Sequence, residues 1–215
     1  VTFETTNDKY SLTFTDMPLT EEINSFIYQL NNSYGTKIPP DNAGDCWTTE
    51  IHIDLFYWLE RLYKCLNYGT ILIIDYMLEA YRYYAPSRIS GTMISYRNQI
   101  ASNDLFSAPG YSDLTSHLCI EAIDLFSRKA GLNFLGSIRQ GEALLALGLA
   151  KEINSLHSYP KEKLKTALEK RENLLRLVDP RSLGEFRWIA LEKKYNKDNK
   201  REYIDLNTMF LSEPV

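Results

Sequence analysis

The sequence predicts an α/β fold in which buried strands alternate with amphipathic helices. Residues 70–74 form a short run of apolar, mostly β-branched side chains, which is typical of a strand buried on both faces of a parallel sheet. A helical apolar stripe over residues 55–66 precedes this run, and a glycine separates the two. The same order of helix, glycine and strand returns around Gly131. We therefore expect this strand to lie beside a strand near 133–139, with helices packed on the sheet.

Size and charge narrow the class of protein. A chain of 215 residues with 44% hydrophobic content can bury one sizeable core, so we expect residues 1–215 to form part of one domain. The net charge of −4 does not provide the positive field that nucleic-acid binding requires, and no apolar run reaches the length of a membrane span. Cys46, Cys65 and Cys119 have neither zinc-site spacing nor the density of a disulfide scaffold. These features predict a soluble protein of a reducing compartment, without a metal site.

The N-terminal region predicts a hairpin followed by a helix. Alternating apolar residues flank a turn signal at Asn7-Asp8, and a helical apolar pattern follows Thr20. A polar loop rich in proline and glycine then leads from this segment, residues 1–48, into a core segment over 49–150. The chain opens inside the first predicted strand without an initiator methionine, so we expect further sequence upstream.

The C-terminal half predicts a continued alternation of helices and strands. The last part, residues 151–215, is expected to hold a surface helix with mixed charges and an edge strand before a lysine-rich connector. The predicted helices cover residues 120–130, 143–149 and 161–176, and the predicted strands cover 132–138 and 186–191.

Asp75 and Tyr76 close the apolar run at 70–74. Open α/β sheets bind ligands beyond the carboxyl ends of their strands, where both side chains are expected to lie. An Asp at a strand end also satisfies the backbone of a turn in many proteins. The sequence fits both interpretations of Asp75, a site carboxylate and a turn cap.

Residues 77–112 show no clean period and are rich in Tyr, Arg, Ser and Asn, including Tyr96 and Arg97. A loop longer than about 15 residues inside a compact domain is usually functional or mobile. Aromatic residues interleaved with arginines can stack on bases, but the acidic chain has no RNA-binding signature. We therefore interpret this segment as a lid-like or substrate-facing insertion.

Asp113, Thr115 and His117 alternate along the chain, so in a strand their side chains would share one face. That face would group a carboxylate, a hydroxyl and an imidazole. A solvent-facing strand edge shows the same pattern. His117 fits a proton acceptor, since an imidazole titrates near neutral pH, and equally a buried structural histidine.

Several short motifs follow one another in a definite order from about Thr49 to Ile189, and their order is more specific than any one of them. The motifs are Gly69-Thr70-Ile71-Leu72-Ile73-Ile74-Asp75-Tyr76, Gly91-Thr92, Tyr96-Arg97, Pro109-Gly110, Asp113-Leu114-Thr115-Ser116-His117, Gln140 with Leu144-Leu145-Ala146-Leu147-Gly148, and Asp179-Pro180-Arg181-Ser182-Leu183-Gly184-Glu185-Phe186-Arg187. In this order they resemble the MidA-like family of class I S-adenosylmethionine-dependent methyltransferases.

The resemblance implies an α/β fold: the C-terminal part of a Rossmann-like class I methyltransferase sheet, with helices on both faces and a family-specific insertion. Members of this family occur in bacteria and mitochondria, and the mitochondrial ones are similar to protein arginine methyltransferases that support assembly of respiratory complex I. The resemblance thus implies a methyl donor, S-adenosylmethionine, and a protein substrate such as a respiratory-complex subunit. It also implies a cytoplasmic or mitochondrial-matrix location and leaves a homodimer open.

The family motifs also imply site residues. The acidic-aromatic pair at its strand end falls on Asp75 and Tyr76, and the glutamate before the preceding helix falls on Glu50. Two positions depart from the family, with Met77 in place of a usual Gly and Gln99 in place of a usual His. The implied roles are catalytic for Asp75, Asp113 and His117, donor-binding for Glu50 and Tyr76, and substrate-binding for Tyr96, Arg97 and Thr115.

The expected chemistry is displacement of a sulfonium methyl by a nitrogen or, less favourably, an oxygen nucleophile, with no metal. A carboxylate of Glu50, Asp75 or Asp113 would orient a guanidinium through bidentate hydrogen bonds. None of the ten glycines forms the GxG pattern of a donor-binding loop, so we expect the N-terminal donor-binding half to be absent and the fragment alone to be inactive, with little affinity for the donor. An alternative hypothesis, from a different functional class, is that the protein is a non-catalytic assembly factor that binds a partner through residues 77–112. A glycine-rich loop upstream would favour the enzyme.

Overall fold

The computed structural model describes residues 2–6, 9–194 and 210–211. The chain divides into two compact units, and we describe each by itself. Within the described residues, no helix combines the length and apolar character needed to cross a membrane. The first unit comprises Val1–Asp54 and Leu78–Ala122, and the second comprises Leu55–Met77 and Ile123–Val215.

The described residues form short strands and helices in mixed α/β order. The strands are β1 Thr2–Thr6, β2 Lys9–Thr13, β3 Gly69–Asp75, β4 Met77–Leu78, β5 Ile94–Arg97, β6 Ile100–Ser102, β7 Asp113–Thr115, β8 Leu118–Cys119, β9 Asn133–Arg139 and β10 Arg187–Lys193. The α-helices are α1 Glu21–Tyr34, α2 Leu55–Cys65, α3 Ala80–Tyr83, α4 Ile120–Lys129, α5 Gln140–Ala146, α6 Leu149–Ser155 and α7 Leu164–Val178, and short 3-10 turns occupy Leu156–Ser158, Lys161–Lys163 and Leu183–Glu185.

The first unit opens with the predicted hairpin and helix. Strands β1 and β2 pair antiparallel, which confirms the hairpin, although its turn at Asn7-Asp8 lies outside the described residues. Helix α1 begins after Thr20, whose hydroxyl accepts a hydrogen bond from the N–H of Ile23 at 3.4 Å. It ends at Gly35, which adopts the left-handed conformation with φ of 66°. The local signals in this part of the sequence therefore predicted the structure correctly.

A small three-stranded sheet lies within and just after the insertion that the sequence analysis treated as aperiodic. Strands β6, β5 and β7 pair antiparallel in that order. Asn98 and Gln99, with φ of 50° and 65°, form the tight turn between β5 and β6. With four and three residues, these strands are too short to show a period of two in the sequence.

The main sheet of the second unit corrects two expectations. Its order is β3-β10-β9, and β10 runs antiparallel to both neighbours. The strand at 70–75 therefore does not lie beside the strand near 133–139, because β10 is between them. Residues 186–191, expected as an edge strand, instead belong to the central one, in which Ile189, Ala190 and Leu191 are fully buried.

Strand β3 is less buried than the sequence analysis expected. Leu72 is 44% exposed and Ile74 is 45% exposed, so alternate side chains of the apolar run face solvent among the described residues. Within these residues β3 pairs with β10 alone. The parallel, Rossmann-like arrangement is therefore not confirmed, and the fold established for the described chain is a mixed α/β fold with small sheets.

The predicted helices of the second unit are present with shifted bounds. Phe56 of α2 and Phe126 of α4 pack with ring centroids 6.4 Å apart. Gly131 ends α4 with φ of 91°, as predicted from its sequence position. The helix expected at 143–149 is two helices, α5 and α6, because Gly148 adopts φ of 94° between them.

Candidate functional site

Glu50 is the centre of a hydrogen-bond network in the first unit. Its carboxylate accepts the backbone N–H groups of Thr92 at 3.0 Å and Met93 at 2.9 Å. It also accepts the Thr92 hydroxyl at 3.0 Å and the Tyr83 hydroxyl at 3.4 Å. A carboxylate offers about four lone-pair sites, so these four donors occupy its accepting capacity. The geometry indicates that Glu50 holds the loop at residues 90–93 in shape.

Gly91 makes this close approach between Glu50 and the loop feasible. The residue has φ of 69°, which side-chain-bearing residues rarely adopt. A Cβ at this position would collide with the Glu50 carboxylate. The Gly91-Thr92 motif is therefore explained by packing, since glycine admits the carboxylate and threonine binds it.

The network continues from Thr92 to His117. The Thr92 hydroxyl, which donates to Glu50, accepts the backbone N–H of His117 at 3.1 Å. On the other side, Nε2 of His52 lies 3.0 Å from the carbonyl oxygen of His117. A carbonyl oxygen only accepts, so Nε2 of His52 carries a proton. Both backbone groups of His117 are thus held by side chains from distant parts of the first unit.

Tyr83 joins the two branches of the network. Its hydroxyl lies 3.3 Å from Nε2 of His52 and 3.4 Å from Glu50. Burial raises the pKa of Tyr83 far above its ordinary value, and the nearby Glu50 charge acts in the same direction. The hydroxyl therefore stays protonated and donates to the carboxylate.

A cavity of about 740 Å³ opens beside this network, within the range that small-molecule and side-chain sites occupy. Its polar wall includes Glu50, Thr92 and His117, and apolar side chains complete the lining. The lining residues are Phe14, Thr15, Asp16, Thr48, Thr49, Glu50, Ile51, Arg88, Ser90, Gly91, Thr92, Met93, Ile94, Asn103, Leu105 and His117. This cavity is our candidate functional site.

Four of the predicted residues lie in the small sheet of the first unit rather than on the cavity wall. Tyr96 pairs with Asp113 across β5 and β7, and Thr115 lies opposite Ile94. Arg97 ends β5 at the turn. Strand β7 ends at Thr115, so His117 follows the strand and, unlike the other two members of the predicted polar face, lines the cavity.

Asp75 and Tyr76 belong to the second unit. The carboxylate of Asp75 accepts the backbone N–H of Tyr76 at 2.7 Å, as in the turn-cap interpretation. The ring of Tyr76 lies against Phe186, with centroids 4.2 Å apart. Their catalytic and donor-binding roles stay predictions.

Four residues with no role predicted from the sequence lie around Glu50 or on the cavity wall: His52, Tyr83, Arg88 and Thr92. For His52 the sequence held one signal. It lies two residues after Glu50, and residues two apart in an extended segment can share a face. For Tyr83 and Arg88, the segment around them showed no period that could locate a contact. Among the described residues, no cluster of His, Cys, Asp and Glu is arranged to hold a metal ion.

Comparison with known proteins agrees with the mixed α/β fold. Residues 1–138 match the sequence profile of a family described as "Putative S-adenosyl-L-methionine-dependent methyltransferase". This match includes the whole cavity and most of the motifs quoted above. No curated protein matches the chain significantly.

Two crystal structures from Burkholderia thailandensis are similar to the chain. One is an uncharacterised member of the COG1565 superfamily, with 25% identity and a TM-score of 0.69, covering 84% of this chain and 45% of the other. The second is a COG1565 superfamily member described as a "likely methyl transferase", bound to S-adenosyl-homocysteine, with 22% identity and a TM-score of 0.70. The alignment with this second structure covers 89% of our chain and 46% of the neighbour. Our chain therefore spans about half the length of each neighbour.

Proposed function

This chain belongs to the family described as putative S-adenosyl-L-methionine-dependent methyltransferases, and from that premise we propose that the whole protein methylates an arginine nitrogen of a protein substrate. The observation on which this proposal rests most heavily is the cavity of the first unit, which lies within the family match and has His117 on its wall. The resemblance to MidA-like methyltransferases supports the choice of arginine. A respiratory-complex subunit is the substrate class that we propose from the same resemblance.

The donor does not fit the residues of this chain in the way the family motifs imply. Glu50 was expected to bind the donor, yet its four acceptor sites are used by Thr92, Met93 and Tyr83. Tyr76 has one face of its ring against Phe186. We therefore assign Glu50 to shaping the cavity, and we propose that the main donor contacts belong to the rest of a longer protein.

When bound, the donor supplies a methyl group on a sulfonium, and the acceptor nitrogen must lose a proton after attack. His117 is the group on the cavity wall that can take that proton, because a neutral imidazole accepts near physiological pH. Its backbone is fixed by Thr92 on one side and His52 on the other. A fixed backbone limits the positions available to the ring, which favours proton transfer at a defined place.

The proposal can be tested on the full-length protein with donor carrying a tritiated methyl group. Proteins from cells that lack the gene are the acceptors, and hydrolysis identifies the labelled amino acid. We expect the label in methylarginine and a rate about 100-fold lower for His117→Ala, as for loss of a general base. His157→Ala is the matched control, because His157 is an exposed histidine of the second unit.

Three results would contradict the proposal. Label in lysine, in carboxylate esters or in small molecules would exclude arginine as the acceptor. Equal rates for His117→Ala and His157→Ala would remove His117 from the reaction. Absence of label for every acceptor would favour the non-catalytic assembly factor.

A further inference from the structure

Arg88 is fixed on the wall of the cavity by the loop around it. Its Nε donates to the carbonyl oxygen of Arg82 at 2.8 Å. The loop is pinned on both sides, since the indole of Trp47 donates to the carbonyl of Ala85 at 3.1 Å and the N–H of Thr48 donates to that of Ile89 at 2.8 Å. The guanidinium is therefore preorganised by the hydrogen bond of its Nε. Its two terminal nitrogens, with four N–H donors, take no part in that bond.

Arg88 has no acidic partner within the part of the chain that the structure describes. No carboxylate lies within ion-pair distance, although the side chain is half-buried. A charge that is partly removed from water without a counter-charge costs stability. A ligand with an anionic group would supply the missing counter-charge for this cation on the cavity wall.

A second unsatisfied donor lies on the same cavity. The hydroxyl of Thr49 is buried and has no hydrogen-bond partner among the described residues. Buried hydroxyls are nearly always hydrogen-bonded, so an orphan on a cavity wall points to a ligand atom. Its neighbour Glu50 cannot offer this atom, because its acceptor sites are taken.

The acidic residues of the cavity leave the charge of Arg88 available. The accepting sites of the Glu50 carboxylate are occupied by neutral donors, and this carboxylate forms no ion pair with Arg88. Asp16 lines the cavity but is exposed, so water screens its carboxylate.

We propose that the cavity of the first unit binds a ligand through a carboxylate group, which Arg88 contacts with its terminal nitrogens and Thr49 with its hydroxyl. Arginine recognises carboxylates through two parallel hydrogen bonds. The apolar part of the lining, including Met93, Ile94 and Leu105, suits a ligand that carries an apolar group beside the carboxylate. The binding test below does not require methyl transfer, whereas assigning the carboxylate to a methyl acceptor or to the donor rests on the proposed function.

Hippurate is the probe, because it joins a carboxylate to an aromatic ring, and hippuramide is its neutral counterpart. Calorimetric titration of the whole chain should show hippurate binding at least about tenfold more tightly than hippuramide. Arg88→Gln should remove this preference, and Thr49→Val should weaken hippurate binding by about threefold. Asp16→Asn should strengthen it by about twofold, because a competing charge is removed.

The matched control is Arg82→Gln. Arg82 is a neighbouring half-buried arginine, but it pairs with Glu79 at 3.5 Å, and the substitution keeps its carbonyl. We expect this variant to bind hippurate as the unaltered protein does. Thermal unfolding of each variant checks that the fold is retained.

The proposal is overturned by equal affinity for hippurate and hippuramide, by full hippurate binding to Arg88→Gln, or by no binding up to about 10 mM hippurate. Tighter binding of phenyl phosphate than of hippurate would overturn the choice of carboxylate.

A carboxylate in this cavity could belong to the methyl acceptor or to the amino-acid part of the donor. Full-length protein distinguishes these sources through S-adenosyl-homocysteine and 5′-methylthioadenosine, which lacks the carboxylate. If Arg88→Gln weakens binding of the first compound alone, the carboxylate is the donor's. If both bind unchanged, the carboxylate is the acceptor's.

Discussion

The two units of this chain are stabilised by different kinds of interaction. In the second unit, the central strand β10 buries Ile189, Ala190 and Leu191 completely. In the first unit, Glu50 accepts hydrogen bonds from backbone and hydroxyl donors, and the hydrogen bonds of its network join residues 25 to 65 positions apart. The apolar strand provides stability without an evident site, whereas the polar network forms the wall of a cavity. In this chain the candidate site therefore lies beside a network of mutually hydrogen-bonded polar groups and not beside the most deeply buried strand.

Truncation of a buried side chain in the central strand of the second unit should cost the most stability. Leu191→Ala should lower the free energy of unfolding by about 2–5 kcal/mol, because it removes a fully buried side chain and leaves a cavity. Leu168→Ala is the control, since Leu168 is 56% exposed on α7, and its cost should stay within about 0.5 kcal/mol. Guanidinium unfolding followed by tryptophan fluorescence provides both values. Equal costs for the two variants would refute the assignment of β10 as the core strand.

The next effect is on the network. Glu50→Gln retains the size of the side chain but places an amide group against donors from Thr92 and Tyr83. We expect a loss of about 1.5–3 kcal/mol in unfolding free energy, as for a hydrogen-bonded charge. Glu169→Gln, at an exposed ion pair with Lys165, is the control, and little change is expected there. Unchanged stability of Glu50→Gln would mean that the network does not hold the loop.

A finer comparison uses two adjacent buried tyrosines whose rings pack 4.7 Å apart. Tyr83→Phe removes a hydroxyl that contacts Glu50 and His52, so we expect a loss of about 0.5–1.5 kcal/mol. The hydroxyl of Tyr84 has no hydrogen-bond partner among the described residues, so Tyr84→Phe should be neutral or slightly stabilising. Urea unfolding measures the free energy of unfolding of both variants. A greater loss for Tyr84→Phe than for Tyr83→Phe would contradict the roles assigned to the two hydroxyls.

The smallest effect is a pH dependence in the first unit. Burial raises the pKa of Cys119 to about 12, above the ordinary value of 9.0. The thiol thus stays protonated in the folded chain while it ionises in the unfolded chain, so its contribution is complete below pH 9 and is lost as pH rises toward 12. Between pH 8 and about 9.5 this lowers the unfolding free energy by about 1 kcal/mol at most. Cys119→Ala should reduce that slope, and an unchanged slope would contradict the burial argument.

The fold was predictable where signals are local. The cap at Thr20, the left-handed glycines Gly35 and Gly131 and the stripe of α2 all led to correct helices. Strand order was not predictable, because an apolar run indicates a strand but not which strand lies next to it. Residues 186–191 were therefore placed at an edge, although β10 pairs on both sides.

The candidate site was predictable only in part. Glu50 and His117 were identified through family motifs, and both line the cavity. Tyr83 and Arg88 were not assigned, because their contacts depend on how the loop at 85–93 folds back on residues 47–52. That path is set by long-range hydrogen bonds, which leave no period in the sequence.

We propose that the polar network serves to position His117 for methyl transfer. Thr92→Val tests it, because valine keeps the shape of threonine but loses the hydroxyl that links Glu50 to the N–H of His117. Methyl transfer by the full-length protein and unfolding free energy are measured on the same variant. We predict a rate at least about tenfold lower with a stability loss of only about 1–2 kcal/mol. Full activity in a variant that is equally destabilised would contradict the claim and leave the network a purely structural role.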